Sequence, residues 1–237
     1  MFLVQEVLFF SGLFCAYVIY RGLHPEIFKY GHYFLDTFWG AVNTCVLLIS
    51  SLTAAWAVRC AQLNNKKGLI LNIWITIICA FAFMGIKYIE YSHKFHVGLG
   101  PPYKDEAGVR FQPHEEVWET VTFKKEHPEV AERAAAAFAA AKAQGDDAVA
   151  NFRENLPEGV PAQPPNLHRF FAIYFCMTGL HGLHVVGGII VWFWILWRVI
   201  KNRFGPKFFG AIDFSALYWH LVDLIWIYLF PLLYLID

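Results

Sequence analysis

Three pairs of ionisable residues in this sequence stand three positions apart inside long apolar runs. They are His181 and His184 in TGLHGLHVVGG, His220 and Asp223 in YWHLVDLIW, and Lys87 and Glu90 in GIKYIEY. Residues three apart are neighbours on a helix surface, so each pair shares a face. An ionisable group at membrane depth is costly and turns toward other helices rather than lipid. These faces are therefore expected to meet in a buried polar seam, joined by Thr178 just ahead of the two histidines.

Several chemistries compete for these residues. His181, His184 and His220 invite haem ligation, because bundle histidines on facing helices can clamp an iron. Two of the three share one helix and one face, however, and with Thr178 and Asp223 they suffice for a hydrogen-bond network, which is the preferred reading. Glu6 lies early in the first apolar run, and with Glu90 and Asp223 it could serve as a proton station. A relay needs an unbroken chain across the bilayer that the sequence does not display, so a static polar contact or a lipid-facing acid is preferred. Lys87 and Glu90 form either an intramembrane salt bridge or two snorkelling side chains, and their spacing does not choose between these. His93 and His96, with His114 and His127 further on, are a weak metal signal without a third placed ligand. No nucleophile paired with a base, phosphate-binding glycine loop or zinc-protease signature is present. The chain itself reads as chemically passive, with neither catalytic residues nor a metal or cofactor of its own.

The elements that must position these residues are membrane helices. The sequence is 57% hydrophobic, 18% aromatic and 16% charged, with a mean hydropathy of +0.42, which excludes an ordinary soluble domain. Its formal net charge of zero gives no basis for a nucleic-acid partner. Cys15, Cys45, Cys60, Cys79 and Cys176 are scattered without CxxC or CxxCH spacing, which leaves them as small apolar fillers.

Five apolar runs are long enough to span a bilayer: 2–20, 34–61, 69–91, 170–197 and 211–236. The first has no basic n-region and no small residue where processing before Cys15 would require one, so it reads as a retained span rather than a signal peptide. Met1 abuts it with almost no interfacial anchor, which would fit a missing leader or a misplaced start. Ser50, Ser51 and Thr53 in the second run are interface residues that allow close helix approach and bonding across it. Residues 92–166 break the pattern with a water-exposed, partly helical insertion. Within it PEVAERAAAAFAAAKAQG predicts a helix, with Pro128 at its first position and Gly145 as its stop, and the prolines after Glu154 form a stiff tether back to the membrane. The fold class is thus all-α, a polytopic bundle divided as 1–91, 92–166 and 167–237.

Arg59, Lys66, Lys67, Arg198, Lys201, Arg203 and Lys207 cluster on one side of the spans, whereas the other short loop offers only Arg21 and Lys29. The basic side is expected to be cytoplasmic. That puts the N-terminus inside and both the C-terminus and 92–166 outside.

These stretches together resemble subunit III of the haem-copper cytochrome c oxidases. QEVLFF with Glu6, NTCVLLISSLT, KYIEY, TGLHGLHVVGG and YWHLVDLIW match that family's motifs in order through all five spans. The resemblance implies an accessory, non-redox subunit in the electron-transport chain of aerobic respiration, set in the inner membrane of a bacterium. It implies a subunit that stabilises the catalytic subunit I of a proton-pumping cytochrome c oxidase, binds phospholipid in a cleft and supports proton uptake. Haem and copper are then expected in partner subunits I and II. It also implies that Glu6 is the family's membrane carboxylate and that His181, His184, His220 and Asp223 are its interhelical polar core.

The chain departs from that pattern in places. Longer members have two further spans ahead of these five, Lys87 stands where a neutral amide is common, and Leu180 and Leu221 replace frequent aromatics. The insertion is unusually long, and it is expected to dock on subunit II, cytochrome c or a neighbouring respiratory complex. Competing functions are the same subunit in a quinol oxidase, a stand-alone membrane carrier and a di-haem cytochrome.

Overall fold

A computed structural model describes residues 1–100, 113, 115–201 and 209–236. All regular structure among them is helical. Five helices are long and apolar enough to cross a membrane: α1 (Phe2–Leu23), α3 (Thr37–Gln62), α4 (Lys66–His96), α8 (His168–Ile200) and α9 (Gly210–Tyr234). Short helices α2 (Pro25–His32), α5 (Val121–Glu126), α6 (Pro128–Gln144) and α7 (Asp146–Glu154), with a 3₁₀ turn at Val117–Glu119, lie between them.

Local chemistry sets most boundaries. Pro25 at the first position of α2 turns the chain after α1. Asp36 caps α3 by accepting from the Phe38 amide at 2.9 Å, and Asn65 caps α4 through the Gly68 amide at 3.1 Å. α4 stops at Gly98, whose φ of 82° is left-handed. There the Leu99 amide reaches back to the Lys94 carbonyl and the Gly98 amide to that of Phe95, the paired bonds of a Schellman motif. With 31 residues α4 is about 46 Å long at 1.5 Å per residue. It outruns a hydrocarbon core of roughly 30 Å, and its last turns extend past the apolar run ending at Tyr91.

α3 packs on α4 and α9, and α8 on α9 and α4, so these four close a ring, with α1 against α9 and α2. Hydroxyls and indoles tie the ring across its seams: Thr53 to Thr76 at 2.8 Å, Trp219 Nε1 to Ser50 at 2.9 Å and Trp226 Nε1 to Thr44 at 3.1 Å. A Cβ on Gly188 would lie 2.5 Å from the Trp219 ring, so α8 and α9 approach closely only because that residue has no side chain. α1 is the least embedded span, burying only Phe10 and Tyr17.

The insertion builds its own small core, in which the Trp118, Phe138 and Phe152 rings sit 5.5–5.6 Å apart. It is fastened to the end of the bundle by Thr122 Oγ1, which donates to the Leu35 carbonyl at 2.7 Å, and by the edge-to-face pair Tyr33 and Phe123. α6 runs from Pro128 to Gln144 with Gly145 at φ 113° beyond it. α2 and α7 are further helices within stretches that the sequence presents as polar or charged connections.

Candidate functional site

The densest polar constellation in the bundle centres on Glu90 of α4. Lys87 Nζ donates to its Oε2 at 2.6 Å and Lys94 Nζ to its Oε1 at 2.5 Å, since both lysines lie one turn away on the same helix face. Two other helices complete the shell. Tyr174 of α8 donates to Oε1 at 2.9 Å and accepts from Lys94 at 2.8 Å. Tyr234 of α9 donates to the same oxygen and accepts from Lys87 at 2.7 Å. Lys87 also lies 4.5 Å above the Trp226 ring, and Lys94 4.1 Å above Tyr174, contacts that favour a cation. One carboxylate thus neutralises two buried ammonium groups in part, and Asp36, at the start of α3, also acts electrostatically on Lys94.

The three-residue spacing in the sequence marks Lys87 and Glu90 but not Lys94, Tyr174 or Tyr234. Lys94 was legible in principle, as Glu90 plus four on a helix that outlasts its apolar run. Nothing local marks the tyrosines, which arrive from 84 and 144 residues away.

The other pairs separate. His184 Nε2 meets Glu6 Oε2 of α1 at 2.7 Å, while its Nδ1 lies 2.7 Å from the Leu180 carbonyl. A carbonyl only accepts, so Nδ1 carries the hydrogen and the Nε2–Oε2 contact holds one shared proton. The pair has zero net charge on whichever side that proton rests. His181 is fully buried between the Phe83 and Trp226 rings, and neither of its nitrogens has a partner. Three residues turn an α-helix by about 300°, and the remaining 60° aims His184 at α1 and His181 into the ring. Thr178 donates to the Tyr174 carbonyl at 2.6 Å and is also bonded to the Tyr91 hydroxyl. His220 Nδ1 bonds Ser51 Oγ at 2.6 Å. Asp223, buried at 3% exposure, has Ser51 as a polar neighbour and leaves Oδ1 unpartnered. The expected single seam is instead several separate contacts, and His220 and Asp223 meet Ser51 rather than each other.

At the insertion side, Asp36, Trp39, Glu90, His93, Lys94, Glu115 and Val121 are among the residues lining a cavity of about 270 Å³. Burial pushes the Glu115 carboxyl above its ordinary range, opposed by the charge of His93. His93 and His96 are exposed at the end of α4, and His127 packs on Tyr33 and Phe123. His114, Arg203 and Lys207 lie outside the described residues. Among those described, no three His, Cys, Asp or Glu residues gather as a metal-holding group, and all five cysteines are free thiols.

Comparison with known proteins points one way. The family described as Cytochrome c oxidase subunit III matches residues 168–237, which include Thr178, His181, His184, His220 and Asp223. Similarity to curated proteins extends along the whole chain. Cytochrome c oxidase subunit 3 of Thermostichus vulcanus is 24% identical over 237 residues, 100% of this chain and 84% of that protein. Its counterpart in Synechocystis is 25% identical over 100% of this chain and 73% of its own length. The probable cytochrome c oxidase subunit 3 of Mycobacterium leprae is 40% identical over 65 residues, 27% of this chain and 32% of that protein.

Proposed function

As a member of the cytochrome c oxidase subunit III family, this chain, we propose, is the accessory, non-redox subunit of a proton-pumping haem-copper terminal oxidase in aerobic respiration. It stabilises catalytic subunit I, contacts subunit II, binds phospholipid and supports proton uptake, and the haem and copper belong to those partners. The observation that carries this reading is the end-to-end similarity to subunit 3 proteins over a chain with five candidate membrane spans.

The polar groups of those spans support a scaffolding role. Glu90 is bonded by Lys87, Lys94, Tyr174 and Tyr234, and Glu6 is engaged by His184. Such contacts hold helices in register. In the proposed orientation the N-terminus is cytoplasmic, and the C-terminus and residues 92–166 are extracytoplasmic, in a bacterial inner membrane. Arg59, Lys66, Lys67, Arg198 and Lys201, near the opposite ends of the spans from the insertion, support it. The three-part division at residues 92 and 166 is proposed on the same basis. A partner for the insertion, whether subunit II, cytochrome c or a neighbouring complex, would meet the face it turns away from Tyr33 and Leu35 at the end of the bundle.

Purifying this chain by an affinity tag in mild detergent tests the reading. Haem and copper polypeptides are expected to accompany it in fixed ratio, with oxygen-reducing activity. Recovery of the chain without them, or with haem bound to the chain alone, would overturn it.

A further inference from the structure

We propose that the cavity beneath the insertion holds the headgroup of one phospholipid that is zwitterionic and carries a primary ammonium, of the phosphatidylethanolamine type. Its acyl chains would run along the outer surface of α3 and α4, past Trp39 and Ile89. This rests on the reading of the chain as a lipid-holding membrane subunit, and it locates the lipid at a place roofed by this chain's own insertion.

The cavity's volume of about 270 Å³ is near the lower bound of roughly 300 Å³ for ligand pockets. It suits a headgroup and excludes whole acyl chains. Its mouth is apolar: Ile89 is 67% exposed and Trp39 45% exposed, both on helices that span the membrane. Tryptophan is enriched at the membrane–water interface, the depth at which a headgroup gives way to its chains.

The polar wall carries both signs. Asp36 uses Oδ1 for its cap bond, which leaves its other oxygen free to accept, and Glu115 adds a second carboxyl. These groups call for a donor cation. Opposite charge comes from Lys94, 2% exposed, which bonds Glu90 and Tyr174 and has three donors in all. Its remaining N–H, with His93, calls for an anionic acceptor. Glu90 is already engaged by four donors, three on Oε1 and Lys87 on Oε2, so Asp36 and Glu115 are the carboxyls left to meet a cation. A phosphate and a primary ammonium on one short linker answer both halves of this wall. A choline head brings a cation without N–H donors, and a glycerol head brings hydroxyls without positive charge.

The test uses the tagged membrane complex, stripped of loosely held lipid and incubated with equal amounts of phosphatidylethanolamine, phosphatidylcholine and phosphatidylglycerol. Native mass spectrometry then counts the lipids retained. One phosphatidylethanolamine per chain is expected, preferred over the others by about tenfold or more. Val121→Trp, from the insertion side of the cavity, and Ile86→Trp, one turn from Glu90 on α4, both add bulk to its lining and are expected to abolish that retention. Asp36→Asn, which keeps a competent helix cap, is expected to bring the preference toward parity. Retention of choline or glycerol lipid as tightly as phosphatidylethanolamine, no retained lipid, or an unchanged count in both tryptophan variants overturns the proposal. If the tryptophan variants do not assemble, Asp36→Asn decides, because an undiminished preference there also overturns it. Absence of oxidase polypeptides from the same preparation would overturn the subunit reading and leave the lipid count to be judged separately.

Discussion

At the scale of single residues, the Glu90 cluster has an asymmetry that mutation exposes. Glu90→Gln leaves Lys87 and Lys94 buried with no counter-charge in contact, and breaking a buried pair this way costs about 3–5 kcal/mol. Lys87→Gln keeps one ammonium against one carboxylate, so it is expected to cost far less. Thermal unfolding of the detergent-solubilised complex, followed by loss of this subunit, should rank Glu90→Gln well below Lys87→Gln. Equal midpoints would mean that the cluster does not hold the helices. Glu6 and His184 follow a similar logic through the proton they share. Glu6→Gln can donate its amide to Nε2 and is expected to be nearly neutral, whereas His184→Leu strands a carboxylate and should lose about 1–3 kcal/mol in the same assay.

At the scale of helices, the close approach of α8 and α9 makes a sharp comparison. Gly188→Ala places a methyl 2.5 Å from the Trp219 ring, while Gly179→Ala meets nothing within 4 Å. Overpacking of this kind costs about 1–3 kcal/mol, and Trp219 cannot retreat without loosening its bond to Ser50. The Gly188 variant should therefore lower the unfolding midpoint and the Gly179 variant should not. Matching midpoints would contradict the packing. The five spans were legible because each apolar run is long enough to leave no alternative, and α6 because Pro128 and Gly145 punctuate it. α2 was not legible, since its buried face of Ile27, Phe28 and Tyr30 is too short to display a period. The expected polar seam divides into separate contacts for a geometric reason. A spacing of three leaves a 60° divergence, enough to send His184 to α1 and His181 into the ring, and only the neighbouring helices reveal which contact each one meets.

At the scale of the whole molecule, the outward faces decide what the chain does for a partner. α1 buries only Phe10 and Tyr17 and presents Phe2, Val4, Val7, Leu8 and Phe9 outward. It is held by few polar contacts, chiefly Glu6 with His184 and the Tyr17 hydroxyl with the Leu232 carbonyl. Such a helix gains from burial against another subunit or from lipid trapped there, and it in turn covers that neighbour. If the chain acts by covering and not by catalysing, an oxidase lacking it starts at a normal rate of oxygen reduction and then inactivates within fewer turnovers than the intact complex. Oxygen uptake traced over successive turnovers, with the haem spectrum recorded before and after, distinguishes the outcomes. A rate already abolished at the first turnover with haem intact would give the chain a direct part in the reaction, and an unchanged lifetime would remove the stabilising role. Restoring the lifetime by adding phospholipid to the depleted enzyme would assign the effect to bound lipid rather than to the helices of this chain.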